Sequence, residues 1–227
     1  MLVVEDVERT YAGAGDAATR ALAGVSLDIA EREFVALMGP SGCGKSTLLT
    51  LAGGLQAPDA GSVSVAGVDL ATLTGGALYR HRRRHIGYVF QEFNLIDVFT
   101  VAENVALPLE LDGMSPRRAR RRAETTLEQV GLAGMGGRYP ATLSGGQRQR
   151  VAFARAVCGR ARLIIADEPT GALDTATEEG VLDLLDELRA QGATCLVATH
   201  SEHVASRADR IVRMRDGRVT DAPQARV

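Results

Sequence analysis

Lys45 and Ser46 stand near the end of the run GPSGCGKST, Gly39 to Thr47, whose Gly-x4-Gly-Lys-Ser spacing suits a polyphosphate. In such a loop, made here of Gly39, Pro40, Ser41, Gly42, Cys43 and Gly44, the glycines let backbone N–H groups approach phosphate oxygens. The positive end of the following helix adds its pull. Lys45 is expected to reach the β- and γ-phosphates, Ser46 to bind Mg²⁺ through its hydroxyl, and Thr47 to touch the α-phosphate. A metal there needs a carboxylate, and the run LIIADE supplies two. Asp167 would hold Mg²⁺ through water, because that ion keeps much of its hydration shell. Glu168 is then placed to orient and deprotonate an attacking water. His200 ends the run CLVATH, where it would sense a γ-phosphate or partner Glu168.

A second helix start has the same character. In LSGGQRQR a serine precedes two glycines and a polar run that grades into VAFARAV. Leu143, Ser144, Gly145, Gly146 and Gln147 would make another anion-facing helix N-terminus. A nucleotide has one phosphate tail, so the duplication needs an explanation.

The elements that must position these residues follow from hydrophobic patterning. EFVALMG, HIGYVF, RLIIAD and ATCLVATH are short continuous apolar runs, as expected of strands buried on both faces of a parallel sheet. Between the last two lies TATEEGVLDLLDELRAQG, with Val181, Leu184, Leu185 and Leu188 at helical spacing and Gly192 as a stop, which makes a βαβ crossover. KSTLLTLAGGL reads as the helix after the loop. LVVEDVERTY, AGVSLDIAE and GSVSVAGVDL alternate apolar with polar and predict a half-exposed antiparallel sheet. Asp216-Gly217 inside DRIVRMRDGRVTD predicts a hairpin. The stretch from Gln91 to Arg138 reads as helical, with Ser115 as N-cap, Pro116 at N1, an Ala119, Ala123, Leu127, Val130 stripe and Gly131 as stop.

Bulk properties narrow the field. The net charge of −2 gives no global attraction to nucleic acid, and the absence of Trp leaves little for base stacking. Cys43, Cys158 and Cys195 are scattered singly, without metal-ligand spacing, and fit reduced thiols. Cys43, near a helix N-terminus, is either a small filler or a thiol open to alkylation. No apolar run approaches the ~20 residues that span a bilayer, and MLVVEDVERTY lacks the features of a signal peptide. The chain is therefore expected to stay in the cytoplasm and to reach a membrane only through a partner. RHRRRH and SPRRARRR read first as a solvated surface, and otherwise as patches for nucleic acid or anionic headgroups.

Taken together, the ordered motifs resemble those of the ATP-binding subunits of ABC transporters, from Tyr11 to about Arg218. GPSGCGKST resembles the Walker A loop, Gln91 after GYVF the Q-loop glutamine, LSGGQ the family signature, and LIIADEP Walker B with its catalytic glutamate. GALD, that is Gly171, Ala172, Leu173 and Asp174, resembles the D-loop, though many members carry Ser where Gly171 stands. His200 resembles the switch histidine, and Tyr11 stands where the family stacks a ring on adenine. The resemblance implies an α/β fold: a P-loop NTPase core with a mostly parallel sheet, an N-terminal antiparallel β subdomain and a helical subdomain. One domain over 1–227 would place 1–90 and 162–227 in the antiparallel and P-loop parts, and 91–161 in the helical part with the signature.

The resemblance also implies ATP and Mg²⁺ as ligands, the metal held by Ser46, Gln91 and Asp167. It implies a head-to-tail dimer, of this chain or with a similar subunit, in which Ser144, Gly145 and Gly146 face the partner's γ-phosphate. Gln91 would relay the site's state to an integral membrane permease, and the chain would sit peripherally on the inner face of the membrane. YRHRRRHIGYVFQEFNLIDVFTVAENVALPLEL and PTGALD are similar to a narrower group of lipoprotein-release, macrolide-export and peptide-export ATPases. The alternatives are a cell-division or regulatory ATPase without cargo, and a soluble relative acting on ribosomes or DNA.

Overall fold

The computed structural model describes residues 1–12, 18–171 and 175–221. Leu2–Tyr11 (β1) and Thr19–Ile29 (β2) pair antiparallel, with Leu2 opposite Ile29 and Tyr11 opposite Thr19. Leu2, Val4 and Val7 are buried, and this break in the alternation coincides with a register shift between Val4 and Val7. Asp6, at φ 47°, takes up the extra residue and returns the apolar face to the core. Phe34–Met38 (β3) is buried throughout and runs through the glycine loop into Lys45–Ala52 (α1). Ala60–Val65 (β4) and Val68–Asp69 (β5) complete a four-stranded sheet of order β2-β1-β4-β5.

Gly76–His85 (α2) precedes Ile86–Val89 (β6). No residue of α2 is buried, so it carries no apolar stripe for periodicity to detect. Three helices follow: Val101–Leu111 (α3), Pro116–Gln129 (α4) and Gly145–Val157 (α5). The α4 stripe of Ala119, Ala123 and Leu127 is fully buried, with Val130 just beyond it. Residues 91–100, expected to be helical, are turns instead. Buried Asn104 holds them by accepting from the Ile96 N–H and donating to the carbonyls of Ile96, Phe99 and Thr100.

Leu163–Asp167 (β7), Thr175–Ala190 (α6), Thr194–Ala198 (β8), Glu202–Ser206 (α7), Arg210–Arg215 (β9) and Arg218–Asp221 (β10) finish the chain. The second sheet has the order β10-β9-β3-β8-β7-β6, parallel except at β10. Asp216 and Gly217, at φ 49° and 72°, make the tight hairpin that Asp-Gly predicts. One face of this sheet, with Phe34, Ala166, Cys195 and Val197, packs on the helical layer of α3 to α6. The other, with Val35, Leu37, Ile165 and Leu196, packs on α1 and the antiparallel sheet. The central strands are therefore covered on both sides, which explains why β3, β7 and β8 are wholly buried.

Candidate nucleotide site

The glycine loop leaves β3 at the C-terminal edge of the parallel sheet, where such sheets place their ligands. Two of its glycines are fixed by neighbouring backbone. A Cβ at Gly39 would lie 2.3 Å from the Met214 carbonyl oxygen, and one at Gly44 would lie 2.5 Å from that of Ala21. The Gly217 N–H donates to the Cys43 carbonyl at 3.1 Å. The loop is thus pressed between β2 and the β9–β10 hairpin. Gly42, at φ 78° with open space around it, is exposed at the tip with Pro40 and Ser41. Cys43 is buried, which fits the filler role and leaves its thiol shielded.

Lys45 is only 9% exposed, and its ammonium donates to the carbonyls of Gly39 at 2.7 Å and Pro40 at 3.2 Å. It arches over the loop, placing a cation where phosphates would lie. A cleft of about 380 Å³ above it is lined by Gly42, Gly44, Lys45, Ser46 and Thr47 from the motif. Thr19, Arg20, Ala21, Asp216 and Gly217 also line it, and sequence reasoning missed these. The Asp216-Gly217 hairpin signal was the one available hint.

Tyr11 adjoins the cleft through its pairing with Thr19. Its hydroxyl donates to Gln56 Oε1 at 2.9 Å, and the Arg9 guanidinium lies 5.0 Å from the ring centroid. Arg9 is in turn tied to Asp59 at 2.6 Å. The ring is thus held at its edge and on one face.

β7 delivers Asp167 and Glu168 beside the loop. Burial pushes the Asp167 carboxyl above its usual range, and Glu168 adds to this, while the Ser46 hydroxyl and Lys45 pull it back. Asp167 Oδ1 is buried and has no hydrogen-bond partner among the described residues. An orphaned hard oxygen next to a serine hydroxyl fits a Mg²⁺ ion, which takes one or two protein oxygens and completes its shell with water and phosphate. Among the described residues no group of three or more His, Cys, Asp and Glu could hold a metal, and this mode of binding needs none.

Glu168 has φ 46°, a left-handed turn that costs about 1 kcal/mol or more for a residue other than glycine. Its N–H donates to the Ala198 carbonyl at 2.9 Å, locking the turn. Asp167 pairs with Ala198 across β7 and β8, so the two strands end level. This brings His200 Nδ1 to 2.8 Å from Glu168 Oε2. A carboxylate accepts in this contact, so Nδ1 carries the hydrogen.

Gln91 is exposed in the turn after β6, whose register with β7 puts it at the same sheet edge. It forms no side-chain hydrogen bond among the described residues. The turn behind it is clamped from α5: Arg155 donates to the carbonyls of Asn94 at 2.5 Å and Phe93 at 2.6 Å. Gly171 is exposed, and its N–H donates to the Glu168 carbonyl at 3.3 Å. A Cβ there would stand 3.9 Å from His200 Cε1, so a serine would fit. Ala172, Leu173 and Asp174 lie outside the described residues.

The second helix start stands apart. Ser144 caps α5, accepting from the Gln147 N–H at 3.2 Å, while Gln147 Oε1 accepts from the Ser144 N–H at 3.0 Å. Leu143 is buried beneath and Ser144 is exposed, with open space beside Gly145. None of residues 143–147 lines the cleft over the glycine loop. Gln147 therefore has a local structural use that its place in the motif did not reveal.

Residues 22–171 match the family model described as ABC transporter. The chain is 42% identical over 225 residues to the macrolide export ATP-binding/permease protein MacB of Escherichia coli, an alignment covering 99% of this chain and 35% of that protein. It is 41% identical to MacB of Shigella dysenteriae serotype 1, again covering 99% of this chain and 34% of the relative. The chain thus spans about a third of the length of these curated relatives. Its structure is similar to the dimeric ATP-binding cassette MJ0796 bound to ADP and Pi, with a TM-score of 0.94, 41% identity and full coverage of both chains. A second dimeric structure of MJ0796, a bacterial ABC transporter cassette, matches equally well. The phosphate loop, the capped second helix start and the carboxylate pair follow one another along this fold, and the chain belongs to the ABC transporter family.

Proposed function

We propose that the chain binds and hydrolyses ATP as one half of a head-to-tail dimer, and that the cycle of closure and opening drives an integral membrane permease of the export or mechanical-coupling type. The observation that carries the reading is the Glu168–His200 contact of 2.8 Å beside buried Asp167 and Lys45. Lys45, the loop N–H groups and Thr47 bind the phosphates, with Tyr11 stacked on adenine. Ser46 and Asp167, with Gln91 at the same edge, hold Mg²⁺. When bound, the metal neutralises phosphate charge and orients the terminal phosphoryl group. Glu168 takes a proton from water as its oxygen attacks the γ-phosphorus, and the bond to the β–γ bridging oxygen breaks to leave ADP. His200 holds the Glu168 carboxylate through Nδ1 and so positions it for the attacking water beside the γ-phosphate.

Ser144, Gly145 and Gly146 complete the partner's site. The exposure of Ser144 and the absence of all three from the lining of their own chain's cleft support this, as do the dimeric cassettes similar to this chain. Residues 91–161 form the helical unit, and 1–90 with 162–227 form the nucleotide core. Ala172, Leu173 and Asp174 would cross the dimer. The Arg155 clamp supplies a rigid link between the signature helix and the turn after Gln91, by which nucleotide state reaches the permease. No helix among the described residues is long and apolar enough to cross a membrane, so the permease would be a separate segment or chain that holds this one at the inner face.

Glu168→Gln tests the reading. With ATP it should accumulate as a dimer in light scattering, because binding survives and water activation is lost. A variant that binds ATP yet stays monomeric overturns the dimer. Wild-type turnover overturns the role of Glu168.

A further inference from the structure

Helix α4 opens against its own electrostatics. Arg117, Arg118, Arg120, Arg121 and Arg122 fill its first two turns, no acidic residue sits in the first turn, and Ser115 makes no side-chain cap bond. Five cations at the positive end of a helix dipole, with several pairs three or four residues apart, oppose helix formation. Among the described residues Arg120 alone of these approaches a carboxylate, that of Glu124 at 3.8 Å. Arg118, Arg121 and Arg122 make no ion pair among the described residues.

Several arginines elsewhere are paired. Arg207 binds both Glu179 and Asp186, and Arg210 binds Glu33. With 28 Asp and Glu against 26 Lys and Arg, carboxylates are not scarce. A sequence that breaks local rules at one site has a use for that site.

The tertiary structure adds a further cation. Arg122 Nε donates to the Cys158 carbonyl at 3.4 Å, tying α4 to the turn after α5, where Arg160 lies. Arg118, Arg121, Arg122 and Arg160 line one cleft of about 480 Å³ that has no acidic lining residue. Leu109 and Met114 form an apolar side. Guanidinium forks match the several oxygens and the charge of a phosphate better than one carboxylate, which a single fork satisfies.

We propose that this cleft, formed by α4 and the turn after α5, binds a phosphate group. The group belongs either to an anionic phospholipid headgroup, with Leu109 and Met114 beside its apolar part, or to a soluble phosphate compound. The inference goes beyond the ATPase reading and does not depend on it.

Two titrations separate the sources, both on the chain saturated with a non-hydrolysable ATP analogue so that the glycine loop is occupied. One uses vesicles of phosphatidylglycerol with phosphatidylcholine against phosphatidylcholine alone; the other uses inorganic pyrophosphate. Each is repeated on the combined Arg118→Gln, Arg121→Gln, Arg122→Gln variant, whose helix propensity is close to that of wild type. Binding to the anionic vesicles that falls at least about tenfold in the variant supports the lipid source. Pyrophosphate binding with the same loss, without vesicle binding, supports the soluble source. The corresponding triple lysine variant should recover only part of the affinity, because charge returns without the fork. The site is overturned if wild type binds neither probe, if the glutamine variant binds as well as wild type, or if polyglutamate competes as strongly as pyrophosphate. Failure of the nucleotide reading would show separately, as no binding of the ATP analogue.

Discussion

Helix α1 starts on Gly44 at φ 105° with no side-chain cap, while α5 starts on Ser144 with a closed capping box. The first helix start is held by distant backbone, from Ala21 on β2 and from Met214 and Gly217 at the β9–β10 hairpin. The second is held by its own first turn, between Ser144 and Gln147. The α1 start leaves its N–H groups without a protein side chain in a cleft that also contains Lys45. The α5 start is capped within its own first turn, and its Ser144 stands exposed. The difference teaches that two similar glycine-rich turns serve different ends: one is built into the cleft of its own chain, and the other is presented outward.

Substitutions that strike one side of this comparison should have different consequences. The largest effect is expected from Glu168→Gln, which should lower steady-state hydrolysis by about 100- to 10,000-fold with ATP affinity retained in equilibrium binding. Lys45→Ala should weaken ATP binding itself by about 10- to 100-fold, the worth of a charge-assisted hydrogen bond. Ser144→Arg should leave ATP affinity in the monomer unchanged yet abolish hydrolysis; wild-type turnover would mean that the signature does not serve the neighbour's nucleotide.

Stability should divide the same way. Gly39→Ala brings a Cβ within 2.3 Å of the Met214 oxygen, and overpacking of this kind costs about 1–3 kcal/mol in denaturant unfolding. Gly145→Ala meets nothing within 4 Å and should cost far less. Equal losses at the two glycines would erase the distinction between a braced and a free-standing turn. Ser144→Ala should cost about 1 kcal/mol through the lost cap alone.

The smallest and most conditional effect concerns Asp167. Its folded pKa is raised above the ordinary 3.8, so above that value the folded chain holds its proton more tightly than the unfolded chain does. Stability therefore falls as pH rises through this window. Asp167→Asn should melt higher than wild type at neutral pH, with the difference shrinking as pH falls toward 3.8, while Mg²⁺-dependent hydrolysis is lost. An unchanged melting temperature at neutral pH would mean that burial of the carboxylate costs nothing.

The nucleotide motif was legible because its chemistry is local. The spacing from Gly39 to Ser46 and the adjacency of Asp167 and Glu168 survive any uncertainty about how the strands pair. The buried runs of β3, β7 and β8 were legible because strands covered on both faces need apolar residues at every position. Helix α2 was invisible because none of its residues is buried. Residues 91–100 looked helical, but Asn104 and Arg155 satisfy their backbone from elsewhere in the chain.

The sequence by itself determined the candidate residues for the chemistry and the elements that carry them, because loop spacing, helix caps and strand burial are short-range requirements. Only the tertiary structure decided what surrounds them. It brings Ala21 and Gly217 against the glycine loop, His200 to Glu168, and Arg160 to the arginines of α4. Each of these contacts joins residues far apart in sequence, and each is fixed by strand register and helix packing, which no local pattern encodes.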